Sequence, residues 1–167
     1  MKKILFLLAF VGVTGLTSCD GPEGPAGPPG PEAEVFELLN VNFGFDGNGY
    51  SIYRTLNPNI YDSDNILIFR LSGTIDDFTP IWQPIPRTLY LPEGELDYDY
   101  DFSPIDFTIY AGGTYDLGMT PQYIENQTFR IVIIPGYFSD RRASVDLNDY
   151  NAVVKAYGID ESNIRQL

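Results

Sequence analysis

The stretch EGELDYDYDF places Glu93, Glu95, Asp97, Asp99 and Asp101 on one parity, and Leu96, Tyr98, Tyr100 and Phe102 on the other. Successive side chains of a β-strand point to opposite faces, so this pattern predicts one apolar face and one carboxylate ladder. Carboxylates in such an array have two chemistries open to them. They are hard oxygen donors that suit Ca²⁺, and in pairs they supply the acid and base of glycoside hydrolysis. Alternate residues of a strand lie about 7 Å apart. Each repulsion in the ladder is then only about 0.6 kcal/mol in water. The ladder can therefore stand as a solvated face with no cation, and that is the expectation. A weak calcium site at Asp97 and Asp99 is the functional alternative, and a basic partner surface is a third. Asp62 and Asp64 in YDSDN offer a second, loop-borne calcium candidate that is too short to be specific.

Other chemistries lack their residues. The 167-residue chain has no histidine and one cysteine, Cys19. That removes the Ser-His-Asp triad, imidazole acid–base catalysis and the usual His/Cys zinc sites. No G-x-G-x-x-G or G-x-x-x-x-G-K-[ST] run occurs, so no nucleotide cofactor is expected. Ten basic residues face 23 acidic ones, a net charge of −13, which disfavours nucleic acid and anionic surfaces. Only carboxylate chemistry remains for an enzyme, and among 23 acids some pair always lies close.

The start of the chain concerns location. Lys2 and Lys3 precede an uncharged apolar run, Ile4–Val13, too short to span a bilayer and suited to a secretory signal over residues 1–18. Leu16-Thr17-Ser18-Cys19 resembles the bacterial lipobox, whose cysteine sulfur receives a diacylglycerol before cleavage exposes its amine for acylation. Two or three acyl chains hold a protein far more firmly than one, at about 0.8 kcal/mol per buried methylene. Asp20 after the cysteine resembles an inner-membrane retention signal of enteric bacteria, but in Bacteroidota-type bacteria different rules apply. The expected location is the outer membrane, with the periplasmic and cell-surface sides both open.

Gly21, Gly24, Gly27 and Gly30 fall at every third residue, followed in turn by Pro22, Pro25, Pro28 and Pro31, in G-X-Y register. The repeat has four triplets and stops after Glu32. Its length favours a polyproline-type stalk over a trimerising triple helix. Twelve such residues would extend about 37 Å. Residues 19–32 are thus a lipidated cysteine and stalk, and the chain is expected to be a monomer, with a trimer through the stalk as the alternative.

Residues 33–167 are long enough for one domain with its own core. EVFELLNVNFGF reads as a strand, Asp46–Gly49 as a hairpin turn and YSIYRTL as the partner strand. NILIFRLSG and TFRIVIIP are apolar on both faces and read as central strands. IWQPIP carries too many prolines for a sheet interior and suits an edge or loop. A turn at Glu93-Gly94 would pair Leu91 with Leu96 and Leu89 with Tyr98. IDFTIYAGG is a further strand, and 112–127 is irregular. From 146 to 157 the period changes: Leu147, Tyr150, Val153, Val154 and Tyr157 share a helical face. Asp146 is the expected cap, with Asp149 in the first turn and Gly158 as the stop. SVDLNDYNAVVKAY resembles the helical half of a dockerin repeat, but Phe138 and Arg142 would occupy ligand positions, so the helix is read as core packing. The expected fold is all-β with a C-terminal helix: an antiparallel β-sandwich, the helix packed on one end or face.

With LTSCDGPEGPAGPPGPE, EGELDYDYDF, FRIVIIP and the helix, the chain resembles the small lipoproteins of flavobacteria and relatives that carry a collagen-like stretch after the lipid cysteine. The resemblance implies an envelope-anchored protein and maps no catalytic residues. The expected function is structural or interactive, binding a protein partner or a glycan. The catalytic alternative is a carboxylate-dependent enzyme acting on envelope or extracellular polysaccharide.

Overall fold

Runs that are apolar on both faces need both faces covered. The computed structural model shows how, describing residues 33–76, 78–136 and 145–167. The expected signal segment 1–18 and the expected lipidated cysteine and stalk, residues 19–32, lie outside the described residues, as do Phe138 and Arg142. Among the described residues ten strands form two sheets: β1 (Glu34–Val41), β2 (Gly44–Phe45), β3 (Tyr50–Thr55), β4 (Asn65–Thr74), β5 (Pro80–Ile85), β6 (Arg87–Leu91), β7 (Gly94–Phe102), β8 (Asp106–Gly113), β9 (Gln127–Ile134) and β10 (Arg165–Gln166). The first sheet has the order β10-β1-β9-β4-β5 and the second β2-β3-β8-β7-β6. Among the described residues there is one α-helix, α1 (Tyr150–Tyr157).

The two sheets form a sandwich. Ile66, Ile68, Phe129 and Ile131 of the first sheet meet Ile52, Leu96, Phe107 and Ile109 of the second in one buried cluster. The other face of the first sheet is covered by α1. Val35, Phe69, Val132 and Ile134 pack there with Tyr150, Val153, Tyr157 and Ile159. This double cover explains why β4 and β9 are apolar on both faces. The proline-rich β5 lies at an edge, where a missing amide donor costs no ladder bond.

The helix ends as expected. Gly158 takes the left-handed conformation (φ 65°), its amide donates to the Val154 carbonyl, and Ile159 N also donates there at 3.1 Å. Its start differs. The helix begins at Tyr150 rather than 146, and Asp149 is the cap, accepting from Asn151 N at 2.9 Å and Ala152 N at 3.3 Å. Asp146 cannot serve, because its carboxylate closes a turn of its own by accepting from Asn148 N at 2.9 Å.

Three other expectations change. EVFELLNVNFGF is two strands, not one: β1 joins the first sheet and the short β2 pairs with β3 in the second. The chain changes sheets after a β-bulge at Leu38–Val41, where Asn40 has φ 52°, a conformation asparagine tolerates better than most residues. Phe43, buried in the core, then anchors the crossing by donating its amide to Ile124 O at 2.8 Å. The β6–β7 register pairs Leu89 with Leu96 and Leu91 with Gly94, two residues from the expected one. Pro92 pre-sets the first turn position, so Pro92-Glu93 forms the turn and Gly94 begins the strand. A slip of two keeps Leu89 and Leu96 on the inner face. Finally, the sandwich is antiparallel except at its edge, where β10 runs parallel to β1.

Candidate functional site

The second sheet turns its apolar residues inward and its polar residues outward. On β7, Leu96 and Tyr98 are buried, while Glu95, Asp97, Asp99 and Asp101 are exposed. The carboxylate ladder is therefore a solvent-facing row, and Glu93 lies just before it in the exposed turn. Strand register sets the neighbours of that row. Asp99 lies opposite Tyr110, which lies opposite Ser51; Asp101 lies opposite Thr108, which lies opposite Tyr53. Across the other edge, Asp97 pairs with Thr88 and Glu95 with Tyr90.

Three tyrosines stand among these acids. Tyr53 is 55% exposed, Tyr90 80% and Tyr110 40%. The Tyr110 hydroxyl donates to Asp101 Oδ2 at 2.9 Å, and the Tyr53 hydroxyl donates to Asp106 Oδ2 at 3.1 Å. Asp106 Oδ1 accepts from Ser103 and Asp97 Oδ1 from Thr88, so several acids of the face are hydrogen-bonded. The bond to Asp106 is the main reason the Tyr53 phenol is raised above its ordinary pKa. For Tyr110 the contact with Thr108 is the largest single influence and works downward, but the bond to Asp101, burial and the charges of Asp101 and Asp106 together raise the phenol. The result is an open face of phenol rings fixed beside carboxylates.

The calcium candidates are not gathered. Asp97 and Asp99 are alternate residues of β7, whereas Asp62 and Asp64 belong to the loop between β3 and β4. Asp64 accepts from Tyr61 N at 3.0 Å and Gly136 N at 3.1 Å, so it holds that loop to the end of β9. Among the described residues no three acidic side chains are grouped so as to hold a metal ion. A cleft of about 210 Å³ lies beside this loop and contains Glu34 and Asp64. Glu34 is paired with Arg165, and Asp64 is engaged as just described.

Two arginines escaped the sequence reading. Arg70 and Arg130 interrupt the apolar runs of β4 and β9, and a lone cation in such a run is the signal that marks them. In the β4–β9 register, Arg70 lies opposite Phe129 and Arg130 opposite Phe69, so the two arginines point to opposite faces. Arg130 faces α1. Its Nε pairs with Glu37 at 3.1 Å and its Nη1 with Glu161 at 2.6 Å, while its guanidinium lies 4.3 Å from the Trp82 ring. Burial works to lower its pKa, but Tyr150, Glu37 and Glu161 prevail and raise it. Arg70 faces the sandwich interior, where it is 7% exposed. No protein-family model, curated protein or solved structure matches the chain.

Proposed function

We propose that the protein is a lipid-anchored module of the outer membrane, held through Cys19, that binds a glycan on the open face of its second sheet. The observation that carries this reading is the set of Tyr53, Tyr90 and Tyr110, exposed beside Asp97, Asp99, Asp101 and Asp106. A tyrosine ring offers a large apolar surface at low entropic cost, and it packs against the C–H face of a sugar. Carboxylates beside it accept hydrogen bonds from sugar hydroxyls, and such charge-assisted bonds are about twice as strong as neutral ones. Positions fixed by Tyr110–Asp101 and Tyr53–Asp106 bonds reduce the ordering cost of binding.

The four-acid row on β7 favours a second reading, a protein partner with a basic surface. Salt separates the two. Contacts between exposed charges are screened within about 8 Å at physiological ionic strength, whereas ring stacking is not. The test is affinity electrophoresis of the domain in gels containing envelope polysaccharide. Retardation that persists at high salt, and that falls about tenfold in a Tyr53→Ala/Tyr110→Ala double variant with an unchanged Tm, is expected. Retardation equal in variant and parent would overturn the sheet-face assignment. Binding only to basic proteins, lost in salt, would favour the second reading.

A further inference from the structure

Both sheets end on the same edge, β5 in one and β6 in the other, joined through Pro86. A shallow cleft of about 390 Å³ opens there, and its lining includes Arg70, Gln83, Arg87, Thr88, Tyr90 and Tyr123. We propose that this cleft binds a single carboxylate carried on a sugar ring, a uronic acid residue, with Arg70 as its principal ligand. The choice of a sugar as carrier rests on the glycan reading above; the choice of a carboxylate does not.

The case for an anion is a contrast between neighbours. Arg130, on the outer face of the first sheet, is matched by two carboxylates. Arg70, on the inner face, is buried and has no carboxylate within 4.0 Å among the described residues. Its Nε donates to Gln127 Oε1 at 2.8 Å. Gln127 is itself fixed, donating to Gln122 O at 2.9 Å and Glu125 O at 2.6 Å. The guanidinium lies 4.8 Å from the Tyr98 ring and 5.8 Å from the Tyr123 ring. One nitrogen is thus used to orient the fork. The two terminal nitrogens make no hydrogen bond to any described residue, yet neither is sealed off from the cleft.

A desolvated cation without a counter-charge is costly, and in a chain with 23 acids a carboxylate partner was readily available. The guanidinium fork matches a carboxylate in a two-bond arrangement. Arg87 adds a second cation on the same rim and also lacks a carboxylate within 4.0 Å among the described residues. Gln83 lies directly opposite Arg70 in the β4–β5 register, and its amide suits sugar hydroxyls. Tyr123 supplies ring surface. The surrounding negative charge opposes a densely charged polyanion, which argues for one isolated carboxylate.

The test is a titration of the ¹⁵N-labelled domain with glucuronate, its neutral methyl ester, and a neutral tripeptide with a free C-terminal carboxylate. The Arg70 Nε–H and Gln127 side-chain amide signals are followed. Glucuronate should shift both saturably, and the ester should not. Arg87→Gln, an exposed change that leaves the core intact, should weaken binding about threefold, and Arg70→Lys at least about tenfold, because lysine keeps the charge but loses the fork. Equal shifts with the ester, or no effect of Arg87→Gln together with no shift at Arg70, would overturn the carboxylate site. Shifts with the tripeptide but not with glucuronate would overturn the sugar carrier. Glucuronate shifts confined to Tyr53 and Tyr110 would overturn the cleft while leaving the sheet-face reading standing.

Discussion

Tyr98 shows what a single residue contributes. It is almost fully buried, its hydroxyl donates to Tyr123 O at 2.6 Å, and its ring receives the Arg70 guanidinium. Burial pushes its phenol up to about 12, with Arg70 opposing. A group whose folded pKa is raised stabilises fully below its unfolded value near 10, and that stability is lost as pH rises through the folded value. Tyr98→Phe should therefore cost about 1 kcal/mol at pH 8 through the lost hydrogen bond. The gap should close between about pH 10 and 12, as urea midpoints across that range would show. On the opposite face of the sheet, Asp97→Asn with Asp99→Asn should leave stability unchanged or slightly raised at low salt, with no calcium-dependent change in Tm. A calcium response that disappears in the double variant would restore the cation reading. The alternating acids of β7 were legible because period-two patterning needs no tertiary information. Arg70 was not legible in its meaning: the sequence contains the cation, but only the packed sandwich reveals that no acid among the described residues comes to meet it.

At the scale of elements, the helix is defined by its face and its two ends. Val153 is fully buried against Val132 and Ile134, whereas Val154 is half-buried. Val153→Asp should lower stability by several kcal/mol, more than Val154→Asp, since it forces an unpaired charge into the layer beneath. Comparison of the two by chemical denaturation checks which position faces the sheet. Gly158→Ala tests the end. A Cβ there meets nothing within 4 Å, so the cost is conformational alone, about 1 kcal/mol for φ 65°. The helical period and its glycine stop were readable from spacing. The starting residue was not, because Asp146 and Asp149 are equally good caps by type. Local hydrogen bonding decides between them, committing Asp146 to its own turn. The β6–β7 register failed for a similar reason: both candidate turns kept the leucines on one face, and the backbone preference of Pro92 selected between them.

On the scale of the whole molecule, the proposed lipid cysteine and a short glycine-proline stretch precede a sandwich that is covered on one side by a helix and open on the other. The layering was only partly legible, since two-sided apolar strands announce cover but not what supplies it. Four G-X-Y triplets are too few to hold a triple helix, so chains starting at Asp20 and at Ala33 should sediment as the same species. A trimer seen only with the longer chain would assign the stretch to assembly. The claim on which the functional account rests is attachment through Cys19, the only thiol in the sequence. Its direct measurement is metabolic labelling of the full chain with palmitate, followed by membrane fractionation, for the parent and for Cys19→Ala. The account predicts a labelled, membrane-bound parent and an unlabelled variant released from the membrane. Label incorporated into Cys19→Ala, or a variant that stays with the membrane unlabelled, would contradict it.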